Sequence, residues 1–473
     1  MRGKWVRIFC WLFGLAMVAW LQFGYHEMWK DEWQAWLMAR DMGWGELLRA
    51  LYYEGHPGLW YVYLKVWAAF GLNDALGLQL AHYLVVALAG GIFWYFTRLP
   101  WWLSLLLWMG YFPFFEYGVV SRGYVWVMVF GLALAGWLEK PEKKAIWAGV
   151  GLFLLCQTEV YGVLLGGALL VYAFFEHEKW KVFARSWFRI LLSGYAIGVL
   201  VFLISVFPRA SREELARAYV GQPFGWEVLG TSFQGNWVNA FWIGAVPDTN
   251  AFGVQALGIA LSVLILLGMV WLFRRAGAVA WGFWAFQAAF FLFSVVFYTG
   301  GVRHWGMILI AWIVWLQLWA YKKPVWDWLS WLVVGSVLFF QLRYSVLAVD
   351  REVRYPYSNA REAAAFIRSE IPAGMPVVAI NKFEAAPVVG YAGRPFYALP
   401  EGEPFTYFKW VEKVYLPPEE EIKLFAAYKR VNMVVVLSPA PLDASRYPGA
   451  LLVRAFDRTN LKKENYFLYA INK

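Results

Sequence analysis

The stretch WLFGLAMVAWLQFGYHEMWKDEWQAW, residues 11–36, decides the fold. Its first half completes an apolar run over residues 5–24, and about 20 such residues cross a bilayer as a helix. Its second half sets two adjacent carboxylates, Asp31 and Glu32, directly beyond that run, among Trp29, Trp33 and Trp36. The chain starts basic, at Arg2, Lys4 and Arg7, and no small-residue cleavage site follows the apolar run. The run therefore reads as a retained span and not a signal peptide.

Composition extends this reading to the whole chain. Of 473 residues, 61% are hydrophobic and only 16% charged, with 32 Trp and 38 Phe. One water-soluble core could not hide so much apolar surface, so the chain reads as a polytopic membrane protein. Abundant Trp and Tyr suit the lipid–water boundary. The net charge of +10 lies mostly in short loops between apolar runs, a pattern of membrane topology that argues against nucleic acid as a partner. The two cysteines, Cys10 and Cys156, exclude a disulfide framework and a Cys-rich metal site.

Apolar runs recur at about 5–24, 76–97, 100–115, 122–138, 144–156, 159–175, 190–207, 252–273, 279–298, 305–321 and 326–347, predicting about 11 transmembrane helices. Alternate loops are basic: Arg98; Lys140, Lys143 and Lys144; Lys179, Lys181, Arg185 and Arg189; Arg274 and Arg275; Lys322 and Lys323. The positive-inside rule puts these loops and the N-terminus in the cytoplasm. The long loops 25–75 and 208–251 then lie outside, together with everything after residue 347. This gives a transmembrane domain over 1–347 and a second domain over 348–473. The second domain reads as a small extracytoplasmic α/β domain, with strands at 376–380, 432–438, LLVRAF and YFLYAI. Its helices are AREAAAFIRSEI, capped by Asn359, and PPEEEIKLFAAYKR. The absence of an Asn-x-Ser/Thr sequon fits a bacterial or archaeal plasma membrane.

Three outer segments carry polar groups at membrane depth, where an ionisable side chain costs about 2.5–3.5 kcal/mol and so marks a functional candidate. In the first, KDEWQAWLMARD reads as an amphipathic surface helix, and Asp31 with Gln34 matches a capping box. Capping would account for Asp31 but not for Glu32. It also leaves unexplained Glu54 and His56 in YYEGHPGLWY, where Pro57 can open a second helix. The second segment presents Glu116 and Arg122 in FEYGVVSRGY, and Glu159 in CQTEVYG. In the third, YTGGVRHWG, Arg303 and His304 enter a span from outside. Guanidinium offers a fork of charged donors to phosphate. Carboxylates and phosphate-binding cations on one membrane face suggest group transfer from a lipid phosphate.

The motifs KDEWQAWLMARD, YEGHPGLWY, SRGY and QTEVYG resemble the polytopic C-fold (GT-C) glycosyltransferases that use polyprenyl-phosphate sugars. That group includes dolichyl-phosphate-mannose protein mannosyltransferases and aminoarabinose lipid A transferases. The resemblance covers the layout of residues 1–350; HPGL stands here where HPPL is common. It implies inverting transfer of a sugar from a polyprenyl-phosphate donor to a glycan, lipid or protein acceptor. Asp31 would be the general base, with Glu32 positioning substrate or replacing it. Arg122, Arg303 and His304 would hold the leaving phosphate. Glu54, His56 and Glu159 would bind sugar, acceptor or a divalent ion, since some relatives use a metal and others do not. The aromatic loop 208–251 is similar to a substrate-covering loop, and equally to an interfacial helix. The alternative function is a lipid-linked-sugar flippase, which would place its charges near mid-membrane.

Overall fold

The computed structural model describes residues 2–177, 179–206, 225–247, 252–409 and 415–473. The part of the 208–251 loop that holds ASREELARAY lies outside them. Each of the eleven apolar runs falls on helical structure. Among the described residues, seven helices are long and apolar enough to cross a membrane: α1 (spanning from Lys4 to Gly24), α5 (Asp74–Phe96), α10 (Ser186–Val206), α12 (Gly253–Phe273), α13 (Ala278–Val296), α14 (Val302–Ala320) and α15 (Trp328–Arg354). The helices α7 (Val125–Trp137), α8 (Pro141–Cys156), α9 (Val160–Glu176) and α11 (Trp226–Gln234) are shorter. The expected run 100–115 is not one helix. It breaks after α6 (Trp101–Trp108) and resumes as a π-helical turn, Tyr111–Glu116. Pro113 has no N–H to donate, and the eight residues of α6 reach only about 12 Å. The chain is an integral membrane protein of mostly helical fold.

Two compact units form. The first comprises Met1–Ala19, Gly55–Trp60 and Tyr83–Val349. Its centre is α14, apolar all round and 83% buried along its spanning window, with Trp312 and Trp315 fully enclosed. Elsewhere in this unit α8 and α10 approach closely through glycine. A Cβ on Gly194 would lie 2.2 Å from the Gly149 carbonyl oxygen, and one on Gly198 would lie 3.0 Å from Phe153 Cα. This is small-xxx-small packing, in which missing side chains let two membrane helices touch backbone to backbone. Gly194→Leu is therefore expected to separate α8 from α10 and lower the thermal midpoint of the detergent-solubilised protein. An unchanged midpoint would show that this contact contributes nothing.

The second unit comprises Trp20–Glu54, Tyr61–His82 and Asp350–Lys473. Its six-stranded sheet runs β3-β2-β1-β4-β6-β5, with β1 (Val377–Ala379), β2 (Phe396–Ala398), β3 (Glu403–Phe405), β4 (Met433–Ser438), β5 (Ala450–Phe456) and β6 (Tyr466–Asn472). Central β4 pairs parallel with β1 and antiparallel with β6, and both its faces are covered. Val435 and Leu437 pack with α16 (Ala360–Glu370) and α17 (Lys382–Ala392). Val434 and Val436 pack with α18 (Glu419–Tyr428). Double-sided burial is why MVVVLS is apolar without alternation.

The same unit contains the segment after α1, folded as α2 (Lys30–Asp41), α3 (Trp44–Glu54) and α4 (Leu59–Ala68), the last extending from the unit boundary. The surface-helix expectation for α2 is corrected. Its residues from Glu32 to Ala39 are all buried. Gly390 on α17 explains the fit: a Cβ there would lie 2.2 Å from Trp33 Cε3.

Candidate active site

In the second unit the carboxylates are sorted by the start of α2. The N-cap is Trp29, in extended backbone, so Asp31 lies inside the first turn and is not the cap. The acid that caps is Glu32, which accepts the Trp29 N–H at 3.2 Å. Gln34, expected to complete a box with Asp31, exchanges two hydrogen bonds with the Phe408 backbone instead, at 2.6 and 3.1 Å. Glu32 is fully buried and faces His26 Nε2 at 3.1 Å, while His26 Nδ1 faces Glu352 at 2.7 Å. Asp31 remains half-buried. Glu54 ends α3 and accepts from the Tyr61 hydroxyl at 3.2 Å.

His26 and Glu352 were not among the residues expected from sequence. Neighbouring Glu27 was missed too: it accepts the Arg361 N–H at 2.6 Å and so serves the start of α16. Asn359 does precede that helix, but its side chain donates instead to the carbonyls of Phe456 and Arg458.

Burial opposes a charge on His26, yet Glu32 and then Glu352 overcome it and raise its pKa to about 10. Burial pushes Glu27 up to about 7 against the opposing Arg361, and pushes Glu464 to about 7 against Ser358 and Lys30. All three folded values exceed the unfolded ones. Their contribution is therefore complete below the unfolded pKa, near 4.5 for the acids and 6.5 for His26. It is lost as pH rises through about 7 and then about 10. Hydrogen exchange across residues 350–409 is expected to accelerate, beyond its intrinsic rise, between pH 5 and pH 9. Flat protection over that range would contradict the charge assignment.

In the first unit the remaining candidates converge. His56 Nδ1 meets Glu159 at 2.7 Å, and Glu159 stands at the N-cap of α9. The His56 ring lies 6.3 Å from the Tyr124 ring, edge-on. Tyr124 in turn lies 5.9 Å from His304 and 5.8 Å from the Arg122 guanidinium. His304 is wrapped further by Tyr161 and Tyr298, at 5.8 and 5.1 Å. Its Nδ1 accepts the Gly301 N–H at 2.9 Å, which fixes the ring at the start of α14. Gly300, at φ +81°, makes the turn that a side chain would resist. Tyr117 donates its hydroxyl to the Arg303 carbonyl, and Glu116 accepts from Tyr111 at 2.7 Å. His56, Arg122, Glu159, Arg303 and His304 thus form one neighbourhood, built from four separate chain segments. The tyrosines that join them were missed. SRGY and VYG contain two of them, but nothing in the sequence tells a ring lining a site from an interfacial one.

Among the described residues, no group of three or more His, Cys, Asp or Glu side chains is arranged to hold a metal ion. The His56–Glu159 pair supplies two donors.

A mostly helical membrane body and a C-terminal mixed α/β region make up the fold. A solved structure shares this fold along nearly the whole length: ArnT from Cupriavidus metallidurans, bound to undecaprenyl phosphate. The TM-score is 0.56, covering 98% of this chain and 96% of that one, at 12% sequence identity. The likeness is therefore one of fold. No family model matches the sequence, and no curated protein does.

Proposed function

We propose that this protein is a membrane glycosyltransferase that takes a sugar from a polyprenyl-phosphate donor and passes it to an acceptor on the extracytoplasmic face. The observation that carries the reading is the neighbourhood of His56, Glu159, Arg122, Arg303 and His304 around Tyr124, within a GT-C fold. The ArnT structure, bound to undecaprenyl phosphate, supports the donor class.

In this reading an acceptor hydroxyl oxygen attacks the anomeric carbon as the bond from that carbon to the phosphate oxygen breaks. The hydroxyl proton passes to Asp31, and polyprenyl phosphate leaves with the electron pair. Charge grows on the departing phosphate, so fixed cations lower the barrier. Arg122, Arg303 and His304 serve there. Glu54 and the His56–Glu159 pair hold sugar or acceptor hydroxyls. Glu32, enclosed against His26, orients the turn that carries the base.

The test uses purified protein in liposomes, offered a panel of polyprenyl-phosphate sugars with and without a chelator. Donor consumption, with release of polyprenyl phosphate, is expected. Movement of intact donor across the bilayer, without consumption, would replace this reading with lipid flipping.

A further inference from the structure

We infer that His26 is the positioning residue for Asp31. Its doubly protonated ring, clamped between Glu32 and Glu352, locks the first turn of α2 in the register that presents the base. The inference rests on the reading of Asp31 as that base.

Geometry and charge together favour the doubly protonated ring. Each ring nitrogen faces a carboxylate oxygen, Nε2 toward Glu32 and Nδ1 toward Glu352, at 3.1 and 2.7 Å. A neutral imidazole has one N–H and could serve only one of them. All three side chains are sealed from solvent. The Tyr357 ring packs edge-on at 4.7 Å, and Arg361 donates to the His26 carbonyl at 3.0 Å. Glu32 has a second task, since its Oε2 also accepts the Trp29 N–H that begins α2. Removing the imidazolium leaves Glu32 as an uncompensated buried charge, which must protonate or turn outward. Either change weakens the bond to Trp29, and the turn holding Asp31 loses its fixed start. Glu352 lies in the last turn of α15, and the clamp ties that turn, which belongs to the second unit, to α2. A buried ion triad costs desolvation and adds little net stability, so geometry is its better explanation. Misplacing a reacting group by about 1 Å can cost about 100-fold in rate.

The experiment compares His26→Gln and Glu352→Gln with wild type in the donor-consumption assay. Asp31→Asn runs alongside, and each protein is also followed by thermal unfolding. Glu352→Gln is the milder change, because it keeps an acceptor for Nδ1–H. The expected result is a kcat at least ten-fold lower in folded protein, with the donor KM within two-fold of wild type. A kcat within two-fold of wild type in either folded variant overturns the inference. So does a parallel rise in KM, or loss of fold in both variants, since each would make the clamp merely structural. If Asp31→Asn transfers at the wild-type rate, the reading of Asp31 as base has failed. If Asp31→Asn is inactive while Glu352→Gln is fully active, that reading stands and only the role of His26 falls.

Discussion

Asp31→Asn is expected to slow sugar transfer by about 10²–10⁴-fold, the range a positioned general base contributes. The substitution keeps size and shape but removes the oxygen that receives the proton. The structure separates this loss from any loss of fold. Asp31 is not the N-cap of α2, and Glu32 satisfies the Trp29 N–H. As a first-turn acid, Asp31 gains about 0.3–1 kcal/mol from the helix dipole. A folded Asp31→Asn with kcat within three-fold of wild type would remove Asp31 from the mechanism. The donor KM is expected to stay near its wild-type value, because the base acts on the acceptor.

Arg303→Ala is expected to cost about 10²–10³-fold in kcat, comparable to deleting one donor that stabilises charge in a transition state. Arg303→Lys should fall between Ala and wild type: it restores the charge but not the two-pronged geometry. The start of α14 should survive either change, because Tyr117 holds residue 303 through its backbone carbonyl and Gly301 through His304 remains. Competition by free polyprenyl phosphate provides a second readout, since its inhibition should weaken in the same order. Equal rates for Ala, Lys and wild type would mean that Arg303 only meets lipid headgroups.

Local rules carried the sequence reading as far as they reach. Each apolar run became helix because a membrane demands backbone bonds satisfied within the segment. Strands at 377–379, 433–438, 450–456 and 466–472 and both expected C-terminal helices formed where their patterns put them. Helix α17 escaped because Pro387 breaks its sequence signal, although the helix runs through that residue and Asn381 caps it by accepting from the N–H groups of Phe383 and Glu384. Strands β2 and β3, three residues each, are too short for a periodic signal. At the site, residue types at span ends were legible, because a charge at membrane depth is costly. The division of labour between Asp31 and Glu32 was not. It depends on Glu352, 326 residues from His26, and no spacing rule reaches that far.

The segment after α1 shares a core with the C-terminal region, and this has a consequence for biosynthesis. Glu27 meets Arg361 across 334 residues, and Trp33 packs against Tyr391 and Gly390. At about 5–20 residues per second, the ribosome needs roughly 20–70 s to supply those partners after the loop is made. For that interval Trp33 and the charged His26 pocket stand without their final neighbours. A nascent chain paused before residue 350 would therefore carry an exposed aromatic helix beside the bilayer, a natural client for a membrane-associated chaperone.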